Sequence, residues 1–255
     1  MARFRLTIEY AGTRYSGWQI QKNARTVQGE LDRAIQRASE RGTFELYGAG
    51  RTDAGVHALA QVAHLELYTR LNPEQLRRRI NDELPADIHV RAVETVPHRF
   101  HARHDAVSRS YLYQISRRRT AFGKAFVWWI REPIDVDAMR AAVNAFVGMK
   151  DFRGFTDDDP DVKSTVVLVD SLDIFERDPL ILVRIQGSHF LWKMVRRIVG
   201  VLAAVGRGEI APQRVLDSTI DVAALTAPAA GLFLEAVYYK GDSGPGPIRP
   251  LLNLD

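Results

Sequence analysis

The stretch Gly50-Arg51-Thr52-Asp53-Ala54-Gly55-Val56-His57-Ala58 sets one carboxylate in a glycine-flanked loop, with an arginine two residues before it. No second acid lies within seven residues on either side. Glycosidase chemistry calls for a paired acid, and metal-assisted hydrolysis calls for clustered ligands. A lone Asp beside an Arg reads instead as a carboxylate held ionised and free to act as a nucleophile. An unperturbed Asp titrates near ~3.9, and a neighbouring cation lowers that value. The competing reading is an ordinary turn, since Asp before Ala-Gly bends a chain readily. Asp53 and His57 could begin a metal site, but no third ligand stands nearby.

Outward from this loop, the first half alternates between strand and helix patterns. Phe4, Leu6, Ile8 and Tyr10 share one face of a predicted strand over 3–10, and a turn follows at Ala11-Gly12-Thr13. Val27, Leu31, Ala34, Ile35 and Ala38 recur at helical spacing. Phe44 to Tyr47 is a short strand feeding the loop, and Gln61 to Leu67 alternates again, with Val62, His64 and Glu66 opposite Ala63, Leu65 and Leu67. Asn72-Pro73 opens a helix through Ile80, with Asn as its cap and Pro at its first position. Ile88 to Val96 is another strand.

The second half repeats that order. Strands are predicted over 110–116, over 165–175 with 181–186 as a pair turning at Arg177-Asp178-Pro179, and over 233–239. Helices are predicted over 135–146 and over 191–205. Gly241 to Pro247 is tail-like punctuation. These patterns imply an α/β (α+β) protein of two related halves, residues 1–105 with the Asp53 loop and 106–255, with a cleft between them as a natural binding site.

With 255 residues, 46% hydrophobic and 26% charged, the chain has the composition of a soluble globular protein. No apolar run approaches the ~20 residues of a membrane span, and Met1 to Arg5 lacks a secretory leader's apolar stretch, so cytoplasmic residence is the expectation. The absence of cysteine excludes disulfides, thiolate metal sites and a Cys nucleophile. Net charge is +4, but its distribution says more. From His98 to Arg119 six arginines stand against one acid, with His98, His101, His104, Phe100, Tyr111 and Tyr113 among them. Arginine interleaved with aromatic rings suits phosphate contact and base stacking, although a solvated face accounts for the charge equally well.

Three other places merit attention. In the helix Leu191 to Gly200, Lys193 and Arg197 mark one polar edge, whereas Arg196 falls among Trp192, Gly200 and Ala203, where a guanidinium calls for a carboxylate or must snorkel to water. Tyr111 follows Arg109 in Arg109-Ser110-Tyr111-Leu112-Tyr113, as a core ring or as a base-stacking one. Asp157-Asp158-Asp159 with Asp161 lacks the Gly and Glu placement of a calcium loop and reads as a solvated turn.

Taken together, these segments resemble the tRNA pseudouridine synthase A family along nearly the whole chain. Gly50 to Ala58 matches the family's catalytic loop, and weaker matches follow in order at Gly17-Trp18-Gln19, Val27-Gln28, Leu84-Pro85 with Asp87-Ile88, Phe100 to Arg103, Arg109 with Tyr111 and Tyr113, Met194 to Arg196 with Ile198 to Gly200, and Gly231-Leu232. The resemblance implies two halves like RNA-recognition motifs, a mixed and mostly antiparallel sheet flanked by helices, and a central catalytic cleft. It implies that Asp53 is the nucleophile, that Arg51 extrudes the target base, that Arg196 pairs with Asp53, and that Tyr111, Arg109 and His57 bind substrate. It further implies isomerisation of uridine to pseudouridine in the anticodon stem-loop of tRNA at positions 38 to 40, by a homodimer, with no metal and no other cofactor. The chain departs from the family's pattern at Ala11, in the Lys163 to Leu168 segment around Val167, and at Lys193, positions that bear on RNA contacts rather than on the nucleophile.

Such a reaction breaks C1′–N1, turns the base and forms C1′–C5. A carboxylate can attack C1′, add to C6 or remove a sugar proton, and the sequence leaves all three open. One alternative is an RNA-binding protein of the same fold without catalysis. Another is a phosphotransferase or hydrolase with an Asp nucleophile, which would call for a metal.

Overall fold

The computed structural model describes residues 1–39, 43–162 and 164–251. Lys163 and the last four residues of the expected second half lie outside them. The chain divides into two compact units, Met1–Val107 with Leu234–Gly244, and Ser108–Phe233 with Pro245–Asp255.

In the first unit, strands β1 (Ala2–Tyr10), β2 (Glu45–Gly48), β3 (His57–Leu67) and β4 (Ile88–Val96) are joined by helices α1 (Val27–Ala38) and α2 (Pro73–Glu83). β1 lies between β4 and β3, antiparallel to both, and β2 pairs antiparallel with β3. β1 has the expected alternation, with Phe4, Leu6, Ile8 and Tyr10 buried. β3 does not, because both of its faces are covered: Gln61 and His64 are as buried as Leu65 and Leu67. Thr26 caps α1 by accepting from Gly29 N, and Asn72 with Gln75 forms a reciprocal capping box on α2.

The second unit is built on β5 (Ala106–Ser116), β7 (Gly148–Asp151), β8 (Val166–Arg177) and β9 (Leu180–Gly187), in the order β5-β9-β8-β7. All of these neighbours pair antiparallel. A two-residue strand, β6 (Trp128–Trp129), pairs parallel with the end of β5. Helix α3 (Val136–Ala142) runs into a 3₁₀ turn, and α4 (Met194–Gly206) is buried over almost its whole circumference. The last strand, β10 (Leu232–Tyr239), lies beside β3, and Leu234 to Tyr239 belong to the first unit. Its Tyr239 hydroxyl donates to Ala102 O at 2.7 Å.

Two expectations need correction around α4. The helix begins at Met194 rather than Leu191, because Lys193 sits in the left-handed region at φ 61° and breaks the helical path. The acidic run is also more than a solvated turn. Asp157 accepts from Lys193 Nζ at 2.8 Å and from the Arg197 guanidinium, and Asp158 accepts from Trp192 N at 3.1 Å. The run therefore neutralises two cations and lies where the positive end of the helix dipole favours an anion. Arg197, which helical spacing placed on a polar edge, has a side chain only 4% exposed and reaches that carboxylate from inside. Close packing explains the small residues of the helix: a Cβ on Gly200 would lie 1.7 Å from Leu225 O.

Hydrogen bonds from Lys193 and then Arg197 hold the Asp157 carboxyl below its usual range. A depressed folded value means that this contribution is present above the ordinary ~3.9 and is lost as pH falls through the lowered one. Asp157→Asn is expected to destabilise the protein at pH 7 by about 1 kcal/mol, a figure kept small by the solvent beside the carboxylate. Urea titrations of the two proteins should converge as the pH is taken below about 4.

Candidate active site

The loop between β2 and β3 is a tight turn laid on the segment that follows β1. Val56 N donates to Asp53 O at 3.1 Å, closing a four-residue turn whose third residue, Gly55, takes φ 78°. That left-handed position explains the glycine after Asp53-Ala54. Gly55 N donates to Tyr15 O at 3.2 Å, and Trp18 N donates to Thr52 O at 3.1 Å. The Tyr10 hydroxyl and Thr52 Oγ1 are 2.8 Å apart, and Gly12 N donates to His57 Nδ1 at 2.9 Å. At the loop's start, Gln61 Nε2 donates to Gly50 O at 3.1 Å.

This contact is close enough to need bare backbone. A Cβ on Gly12 would lie 1.9 Å from Val56 O, and one on Gly17 would lie 2.6 Å from Thr52 O, with Gly17 at φ 87°. Gly48 faces the Trp18 ring, where a Cβ would lie 2.7 Å away. Tyr10, Gly12, Gly17 and Trp18 thus shape the loop, yet none carries chemistry that sequence reasoning would single out. Gly17-Trp18-Gln19 entered only as a resemblance, and the structure supplies its physical reason.

Asp53 is half-buried on this turn, while Arg51 is exposed, with its Nε donating to Gln19 Oε1 at 3.0 Å. His57 is 1% exposed, its Nδ1 engaged by the Gly12 amide. In the second unit, Tyr111 is half-buried on β5 and meets Phe190 edge to face at 5.3 Å, and Arg109 donates to Ser188 O at 2.7 Å. Arg196 is half-buried on α4, with its Nε donating to Ala227 O at 2.6 Å while its own carbonyl accepts from Ala227 N at 3.1 Å. The next carbonyl, Pro228 O, accepts from the Tyr113 hydroxyl at 2.8 Å. Burial raises the Tyr113 phenol well above its ordinary value, opposed by the Arg196 charge. Ala227-Pro228 therefore ties β5 to α4. Gly231 is needed beside it, because a Cβ there would lie 2.6 Å from the Tyr113 ring.

The His98 to Arg119 stretch is less uniformly a nucleic-acid surface than its composition suggests. Ala102 N donates to His64 Nδ1 at 3.1 Å, and Arg3 donates to Phe100 O at 2.9 Å. Arg117 pairs with Glu176 at 2.9 Å. Burial, then the neighbouring His101, pushes His64 down to about 4, so it is neutral at pH 7 and can accept that amide proton. Among the described residues, no group of three or more His, Cys, Asp or Glu side chains could hold a metal ion, and no helix is long and apolar enough to cross a membrane.

A carboxylate on a hydrogen-bonded turn, flanked by an exposed arginine, can serve acid–base, electrostatic or nucleophilic chemistry on a substrate brought to it. Comparison with known proteins says which. Residues 6–105 and 142–240, well over half the chain, match the family described as tRNA pseudouridine synthase. The tRNA pseudouridine synthase A of Pseudothermotoga lettingae is 38% identical over 244 residues, 93% of this chain and 99% of that protein. Those of a Geobacter species and a Geobacillus species are 39% and 36% identical, covering 94% and 93% of this chain and 99% and 98% of the relatives. The chain belongs to the tRNA pseudouridine synthase family and is an isomerase acting on tRNA.

Gly17→Ala is expected to force the loop away from its seat, at a cost of about 1–3 kcal/mol in stability. Turnover on tRNA should fall by far more than thermal unfolding of the variant at the assay temperature explains, on the order of 10²-fold. Paired melting curves and initial rates check this.

Proposed function

We propose that the protein converts uridines at positions 38 to 40 of the tRNA anticodon stem-loop to pseudouridine, with Asp53 as the nucleophile. The observation that carries this reading is the seat of the Asp53 loop: backbone hydrogen bonds on both sides fix the main chain that carries the carboxylate, and the loop leaves the residue half-exposed. A fixed, ionised carboxylate needs no general base at neutral pH.

Arg51 would displace the target base from the stem. Its exposed guanidinium beside Gln19 supports that role. Extruding a base costs a few kcal/mol of stacking and pairing, and a planar cation taking its place offsets part of that. Tyr111 would stack on the flipped uracil, and Arg109 would bind the RNA backbone nearby. Arg196 would be the charge partner that keeps Asp53 ionised. C1′–N1 breaks, the base turns, C1′–C5 forms, the proton on C5 leaves and N1 regains one. The net change lies within one nucleotide, and a bond that Asp53 forms to it as nucleophile breaks again before product leaves, so the chemistry calls for no redox partner and no cofactor. The family resemblance supports a homodimer working on tRNA in the cytoplasm.

Carbodiimide-based pseudouridine mapping on unmodified tRNA transcripts tests the reading. Wild type should give new stops in the anticodon arm, and Asp53→Asn should give none while still binding tRNA. Stops with Asp53→Asn would remove the nucleophile assignment, and stops elsewhere in the tRNA would remove the substrate position. Arg196→Ala should lower the rate by about 10²-fold with a small change in melting temperature, whereas Arg197→Ala should act mainly on stability.

A further inference from the structure

The residue that ends the Asp53 loop carries an inference beyond the reaction. His57 is almost fully buried, and its Nδ1 accepts the Gly12 amide proton at 2.9 Å. The same glycine approaches the loop so closely that a Cβ would lie 1.9 Å from Val56 O. Val56 is also the residue whose amide closes the Asp53 turn. On the other flank, Thr52 is held through its hydroxyl by Tyr10 and through its carbonyl by Trp18 N. The two residues flanking the turn are thus each held through a side chain, His57 by Gly12 in the segment that follows β1 and Thr52 by Tyr10 at the end of β1.

We propose that His57 is a positioning residue: its imidazole, accepting at Nδ1, fixes the turn that aims the Asp53 carboxylate, and Tyr10 is the matching hold on Thr52. This differs from the substrate-binding role that the family resemblance implied, and it rests on Asp53 being the nucleophile. A group that aims the carboxylate acts on the chemical step, because misplacing a reacting atom by about 1 Å costs on the order of 10²-fold in rate. A group that grips RNA acts on affinity instead.

Single-turnover rates and tRNA dissociation constants separate the two roles. The amide oxygen of Asn occupies the place of Nδ1, and that of Gln the place of Nε2. His57→Gln should therefore slow the chemical step about 10²-fold with the tRNA dissociation constant unchanged. His57→Asn should restore the rate to within about tenfold of wild type. Tyr10→Phe, which removes only a hydroxyl and keeps the core volume, should slow the step about tenfold. It decides the matter should the His57 variants not fold. Equal rates for His57→Asn and His57→Gln, a loss that appears in the dissociation constant, or an unchanged Tyr10→Phe would each overturn the proposal. Asp53→Asn, run alongside, separates the two readings. If it turns over, the nucleophile assignment fails. If it is inactive while His57→Gln matches wild type, only the positioning role fails.

Discussion

The backbone of the Asp53 loop rests directly on the backbone of residues 11–18, and this close approach is the constraint on which the first unit's chemistry depends. Two glycines make it possible, Gly12 against Val56 O and Gly17 against Thr52 O. Neither is there for flexibility. Each removes a Cβ that would otherwise separate two chains whose amides and carbonyls satisfy one another, as Trp18 N does for Thr52 O and Tyr15 O for Gly55 N. Those groups, buried and unpaired, would each cost about 1–3 kcal/mol. The same contact therefore stabilises the fold and fixes the main chain that carries the carboxylate.

A second constraint governs the other unit, and it assigns neighbouring arginines to different work. Arg197 is buried and paired with Asp157, while Arg196 is half-buried and bound to Ala227 O. Helical geometry sets consecutive side chains ~100° apart, so Arg197 can anchor the helix to the acidic run while Arg196, the residue before it, reaches Ala227 O. Ala227-Pro228 then joins that side of α4 to Tyr113, the second tyrosine of the Arg109 to Tyr113 motif. The spacing of Tyr111 and Tyr113 on one strand puts them on the same face, one half-buried and one fully buried. The buried ring orients the strand that carries the other.

Elements with a long enough pattern were legible in the sequence. β1 shows its alternation because one face is buried, α1 shows helical spacing, α2 shows its Asn-Pro cap, and β8 and β9 show the paired strands. β6 and β7 were missed because two and four residues are too few to establish a period. β3 was legible as a strand but not in its burial, since a strand covered on both sides buries Gln61 and His64 with its apolar residues. The start of α4 was misread because apolar Leu191 and Trp192 extend the pattern past a residue with positive φ. Asp53, Arg51 and Arg196 stood out through charge. Gly12, Gly17 and Tyr10 did not, because a position that matters for the absence of a side chain, or for one hydroxyl on an ordinary core ring, has no distinctive residue type to announce it.

With Asp53 as the proposed nucleophile, a single carboxylate is enough. A nucleophile that needs a base must be held against that base, and one that needs a metal must be held against its ligands. An aspartate needs neither at neutral pH, so the only demands on the protein are to keep it ionised and to keep it still. Stillness comes from the backbone seat, where turn closure at Val56 and the holds on Thr52 and His57 leave the Asp53 main chain little freedom. One residue outside those holds, Arg51 is exposed, and its Nε donates to Gln19 Oε1 in an exposed hydrogen bond. An exposed hydrogen bond is readily exchanged for water, so releasing Gln19 costs Arg51 little. Thr52, by contrast, is buried and bound through both its hydroxyl and its carbonyl. At Thr52 the loop passes from an exposed side chain, Arg51, to residues held by buried hydrogen bonds.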